Sequence, residues 1–231
     1  MIPDLQDRIA RLEASYGTPE PPAITDPFEM VLWENVAYLV DDERRARVFA
    51  RLQEEIGLLP LEISTTPLEV LAEVIRDGGM QPEHRAGKLL AAADEALDIG
   101  QDSLQQLIRT APDKASKALR RFPGIGEPGA DKILLFSQAK RTLAPESNAL
   151  RVLVRLGFGE GDEKNYSRMY RSAAKAVAPQ LSEDFAWLIR AHQLLRRHGQ
   201  EVCKRSVPLC EVCPLTDGCR WFLSRAGDGT I

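Results

Sequence analysis

The chain has 231 residues and a mass of 25.7 kDa, 44% hydrophobic and 28% charged, enough for one large domain or two small ones around a real core. That balance excludes a disordered chain, and no run approaches the roughly 18 apolar residues of a membrane span. The net charge of −4 is unevenly spread: residues 1–113 carry 10 basic and 22 acidic side chains, residues 114–231 carry 20 and 12. Either the two halves neutralise each other, or the second half presents a face to a polyanion. Met1 leads into polar Asp4, Gln6 and Asp7 rather than a signal peptide, so a cytoplasmic protein is expected.

Helical periodicity dominates, and scarce strand-period alternation with 6% aromatics argues against a β-rich fold. Ile2, Leu5, Ile9 and Leu12 share one stripe of a first helix that ends near Gly17, before Pro19, Pro21 and Pro22. Pro27 opens a strongly apolar helix through about Val40. Asp41 and Asp42 are placed to cap the next, which runs to Gly57. Thr66-Pro67 starts another, broken at Gly78-Gly79, and a helix from about Pro82 to Leu97 follows. Short helices are expected at 102–109 and 113–121, a turn from Phe122 to Gly126, then helices over 128–139, 147–157, 164–178 and 182–198. The fold class is all-α.

Two motifs carry chemistry. Cys203, Cys210, Cys213 and Cys219, all the cysteines of the chain, lie within 17 residues as C-x6-C-x2-C-x5-C. In a cytoplasmic setting such clustering points to metal rather than disulfides, and four soft sulfurs suit either zinc or an iron–sulfur cluster. Pro208 and Pro214 favour turns that let the thiolates converge. The second motif is Phe122-Pro123-Gly124-Ile125-Gly126 ahead of a helix beginning at Pro128. Its glycines permit a tight turn between helices and leave backbone N–H groups beside a helix N-terminus, where a phosphate oxygen can bind. Arg121 and Lys132 stand near enough in sequence to add charge. A plain inter-helix turn is the alternative.

Both motifs in this order, with about 76 residues between Gly126 and Cys203, resemble the endonuclease III-like DNA glycosylases of the helix-hairpin-helix superfamily. The resemblance covers nearly the whole chain, and Cys213-Pro214-Leu215 through Cys219 is especially like the adenine-DNA glycosylase branch. It implies a [4Fe–4S] cluster on the four cysteines, a hairpin matching Arg120 to Phe136, and a helix matching Arg151-Val152-Leu153 with Arg155. It implies two helical lobes gripping DNA between them: a six-helix barrel with the helix-hairpin-helix at 24–136, and an iron–sulfur lobe of 1–23 and 137–231. The expected partner is double-stranded DNA with a damaged or mispaired base, bound by a monomer.

The family's active site maps with departures. Pro128 stands where bifunctional members have a Schiff-base lysine, and proline has no amine for AP-lyase chemistry. Lys132, one helical turn on, is expected to be exposed or to face phosphate. The family's catalytic aspartate falls on Glu146, whose carboxylate would stabilise an oxocarbenium-like sugar or activate water. Glu146 also sits at a helix start, where an acid is favoured for its own sake. Asn148 coincides with an asparagine that the adenine-specific branch keeps near its aspartate. Glu34 aligns with that branch's general acid, and an apolar pocket would give it a raised pKa; a structural carboxylate is the equal alternative. His84, read as part of the loop Gly79–Arg85, falls where members probe the strand opposite the lesion. His192 reads as structural, and Trp33 as core or as a stacking platform. The reading is a monofunctional glycosylase that flips a base and hydrolyses its N-glycosidic bond. The rivals are a non-catalytic relative that binds damaged or branched DNA and a zinc-stabilised module that binds proteins.

Overall fold

A computed structural model describes residues 3–162 and 164–227; within them the chain is all-α, with an isolated backbone bridge between Tyr38 and Gly79 and no strand. Ile2 lies outside the described residues. No helix among them is long and apolar enough to cross a membrane. The chain divides into two compact units: residues 1–22 with 140–231, and residues 23–139.

The first unit opens with α1 (Leu5–Tyr16), capped where the Asp4 carboxylate accepts from the Gln6 and Asp7 N–H groups. Leu5, Ile9 and Leu12, four and three residues apart, form its buried stripe.

The unit 23–139 holds α2 (Pro27–Val36), α3 (Asp42–Glu55), α4 (Pro60–Thr65), α5 (Leu68–Val74), α6 (Pro82–Ile99), α7 (Gln101–Thr110), α8 (Pro112–Leu119) and α9 (Glu127–Phe136). One apolar core runs through it, from Phe28, Val31 and Leu32 on α2 to Leu89 on α6 and Ile133 and Leu134 on α9. Each such side chain contributes about 1.5–3 kcal/mol on leaving water. Asp26 caps α2 with Pro27 at its first position, and Asp41 caps α3. The apolar run of α2 does not continue to Val40: Ala37 turns extended, and the Tyr38 N–H pairs with the Gly78 carbonyl at 2.8 Å. Buried Arg85 takes up the Val36 carbonyl and four more from residues 75–80, satisfying the backbone that a longer helix would have used. Tertiary bonding thus overrides the apolar pattern. Helix α4 was not expected; its signal was Pro60 with Glu62, whose carboxylate accepts the Leu59 N–H at 2.8 Å.

The first unit resumes with α10 (Ser147–Leu156), α11 (Tyr166–Val177), α12 (Phe185–Glu201) and α13 (Arg220–Gly227). Leu150 packs with Tyr170 and Ala173, and α10 lies close along α12. Gly199 makes that approach possible: a Cβ there would stand 2.5 Å from the Asn148 carbonyl oxygen. Between α12 and α13 the cysteine segment forms short 3₁₀ turns at Cys210–Val212 and Thr216–Gly218. Turns here accord with Pro208 and Pro214, whereas α13 was not expected.

Candidate functional site

In the first unit the approach to Glu146 is pinned at several points. The Arg141 guanidinium donates to the Leu181 and Ser182 carbonyls, and the Thr142 hydroxyl accepts the Ala144 N–H at 3.0 Å. Ala144 itself takes a left-handed φ of 42°, unusual for a residue with a Cβ. His192, 3% exposed, holds the Leu143 carbonyl at 2.9 Å through Nδ1, which is the structural role read from its sequence.

Half-buried Glu146 then caps α10. Its Oε1 accepts from the Ala149 N–H at 3.0 Å, and its Oε2 from the Asn148 N–H at 2.9 Å and the Asn148 side-chain amide at 3.0 Å. A carboxylate so placed gains from the helix dipole and cannot swing freely. The bonding continues inward: Asn148 Oδ1 accepts from Arg151 at 2.9 Å, and Arg151 donates to the Gly199 carbonyl at 2.7 Å and the Cys203 carbonyl at 2.8 Å. Glu146 and the first cysteine are therefore linked through Asn148 and Arg151. Burial lowers the pKa of the Arg151 guanidinium. A neighbour that sequence reasoning missed is Tyr166, stacked on Tyr170, whose phenol is pushed up to about 12 by burial and then by the negative charge of Glu146.

In the unit 23–139 the hairpin Phe122–Gly126 is held from behind. Asn35 donates its side-chain amide to the Pro123 carbonyl at 2.8 Å and the Val31 carbonyl at 2.9 Å. Gly124 has φ 75°, and a Cβ on it would stand 2.7 Å from Asn35 Oδ1, so both conformation and space demand glycine. Gly126 differs: it is extended, at the N-cap of α9, and a Cβ there would meet nothing closer than Pro128 at 3.8 Å. Asn35 was visible in the sequence as an amide interrupting an apolar stripe, yet its role needed the fold.

Three expectations change here. Lys132 is not an exposed lysine: it is ion-paired with Glu34, the two side chains only 20% and 31% exposed. Glu34 consequently does not sit in a bare apolar pocket but beside an ammonium group. His84 is exposed, but in the first turn of α6 rather than a loop, since Pro82 starts that helix two residues earlier. Trp33 packs edge-on against Phe49 at 5.4 Å with Arg45 over its face, a core placement.

The four cysteines are free thiols, each half-buried. Among the described residues no three His, Cys, Asp or Glu side chains converge closely enough to hold a single metal ion. The sulfurs nevertheless feel one another: burial pushes the Cys213 thiol up to about 11, and Cys203, Cys219 and Cys210 add to that. Four-iron cubanes hold their thiolates farther apart than one ion does, and their iron offsets the charge that burial disfavours. Arg155 donates to Cys203 Sγ at 3.3 Å and lies over the Trp221 ring at 4.6 Å, with Arg225 also over that ring. The donor set thus fits a tetrathiolate cluster.

No family model matches the chain. An endonuclease III from Sulfolobus acidocaldarius is 27% identical over 184 residues, 79% of this chain and 76% of the relative. An endonuclease III from Thermotoga maritima is 25% identical over 207 residues, 90% of this chain and 88% of the relative. The solved structure of a non-covalent endonuclease III–DNA complex matches 98% of this chain and 100% of its own with a TM-score of 0.74, at 21% identity. In sequence this chain is similar to endonuclease III proteins over most of its length, and its fold is that of a solved endonuclease III structure.

Proposed function

We propose that the chain is a DNA glycosylase of base excision repair that turns a damaged or mispaired base out of double-stranded DNA and hydrolyses its N-glycosidic bond, without AP-lyase activity. Relatives named endonuclease III along most of the chain support the glycosylase class. The observation that carries the mechanism is the Glu146 carboxylate, held by its helix and by Asn148, the residue that the sequence resemblance aligns with the family's aspartate.

A carboxylate held in place stabilises positive charge as it develops on the sugar and orients the attacking water, at no cost of reorganisation during the reaction. Asn148 holds Oε2 and passes the restraint to Arg151. Pro128 supplies no amine, and the amine nearest to it along α9, Lys132, is engaged by Glu34. The product is then an intact abasic site. Glu34 serves a purine lesion best, whose ring nitrogen must gain a proton before leaving. The hairpin Pro123–Gly126 grips the backbone, and exposed His84, near exposed Met80, faces the strand opposite the lesion. Cys203, Cys210, Cys213 and Cys219 hold a [4Fe–4S] cluster, which braces the segment around it and takes no part in hydrolysis. The protein acts as a monomer.

The test is free-base release from a panel of duplexes with different lesions, comparing wild type with Glu146→Gln. Binding should persist while release falls by about 100- to 1,000-fold, the scale of losing one preorganised charge-stabilising group. Wild-type release by the variant would contradict the assignment.

A further inference from the structure

The cysteine segment has a polar neighbour with no part in the ligand set. His198, in the last turn of α12, is 1% exposed. Its Nδ1 lies 2.8 Å from the Tyr16 hydroxyl at the end of α1, and its Nε2 lies 3.5 Å from Cys213 Sγ. Tyr16 is itself held by Arg197, whose guanidinium lies 4.7 Å from its ring centroid and donates to its carbonyl at 3.2 Å.

A cysteine sulfur that ligates iron carries no proton, so it can only accept. The nitrogen facing it must therefore donate, and Nε2 carries the hydrogen. Nδ1 of the neutral ring is then an acceptor, and the Tyr16 hydroxyl donates to it. The line Tyr16 O–H to Nδ1, then Nε2–H to sulfur, leaves one arrangement of protons.

We propose that His198, its tautomer fixed by Tyr16, donates a hydrogen bond to the Cys213 sulfur and thereby sets the reduction potential of the cluster, an inference that rests on the cluster reading above. A donor on a ligating sulfur draws electron density from it and favours the reduced, more negative state. His198 is thus a positioning and tuning residue rather than a ligand. Arg155 on Cys203 is a second donor of the same kind, in a more exposed place.

The experiment uses the full chain purified without oxygen, with iron and sulfide content measured first and the midpoint potential by voltammetry second. His198→Phe removes the donor; at unchanged iron content its oxidised-to-reduced ratio at fixed potential should rise about tenfold, a downward shift of about 59 mV for a one-electron couple. His198→Gln keeps an N–H at the same reach and should return most of the wild-type potential, which a space-filling role would not predict. Tyr16→Phe keeps the ring but frees the tautomer, so its potential should fall between the two. Fully loaded His198→Phe protein with the wild-type potential overturns the inference and leaves the cluster reading intact. Should His198→Phe fail to load, an unchanged potential in Tyr16→Phe overturns it as well. Zinc without iron in the wild-type protein overturns both.

Discussion

Glu146 makes its helix's first turn and its candidate chemistry inseparable, because both use the same two oxygens. Replacement by alanine should destabilise the protein by about 1–2 kcal/mol through loss of the cap, whereas glutamine keeps an acceptor and should cost about half as much or less. Chemical denaturation of the two variants separates these costs from the loss of base release. The charge of Glu146 is also readable at Tyr166, whose raised pKa comes from burial first and from Glu146 second. In Glu146→Gln the Tyr166 phenol should ionise at a lower pH than the value of about 12 in the native protein. NMR titration of labelled tyrosine measures it, and an unmoved Tyr166 would mean that the carboxylate is not where the structure places it. At this scale the sequence revealed residue types and positions. It hid their partners: that Lys132 would meet Glu34, or His198 meet Cys213, depends on residues 98 and 15 positions apart.

At the scale of elements, glycines divide into those the fold needs and those it does not. Gly124→Ala forces a left-handed residue to carry a Cβ against Asn35, and should cost about 1–2 kcal/mol and disturb the hairpin that Asn35 holds. Gly126→Val has room within the protein, so its melting temperature should stay near wild type while its affinity for duplex falls through blocked approach of the phosphate. Equal affinity in that variant would contradict the hairpin assignment. Gly199→Ala drives a methyl into the Asn148 backbone, displacing the residue that steadies Glu146; about 1–3 kcal/mol of stability and a large share of base release should go together. Long periodic helices such as α6 and α12 were legible from sequence because their own residues dictate them. The end of α2 was not, since Arg85, nearly fifty residues on, captures the Val36 carbonyl. The six residues of α4 and the 3₁₀ turns among the cysteines are too short to show a period.

At the scale of the molecule, both units bury apolar side chains, and the cysteine segment stands apart from that burial. The unit 23–139 has a continuous apolar core, whereas in the segment 203–219 Leu215 is the residue buried among the described positions. A segment that buries so little needs another source of order, which the proposed cluster would supply. Removing iron, or replacing Cys213 by serine, should raise amide exchange across 203–219 and neighbouring α13 while the protection of α6 and α9 stays unchanged. The excess of basic residues in the second half of the chain should make duplex binding steeply salt-dependent, weakening by on the order of 1,000-fold between about 50 and 200 mM salt. The charge imbalance, the cysteine spacing and the hairpin together made the class legible; the lesion is not written in them, because it depends on the shape of a pocket rather than on any motif. The most direct test of the central claim follows the product on an end-labelled duplex bearing an excised lesion, with and without borohydride. A hydrolytic glycosylase with Pro128 in place of an amine leaves an intact abasic site, cut only on later alkali treatment, and no trapped protein–DNA adduct; strand scission without alkali, or an adduct through Lys132, would contradict it.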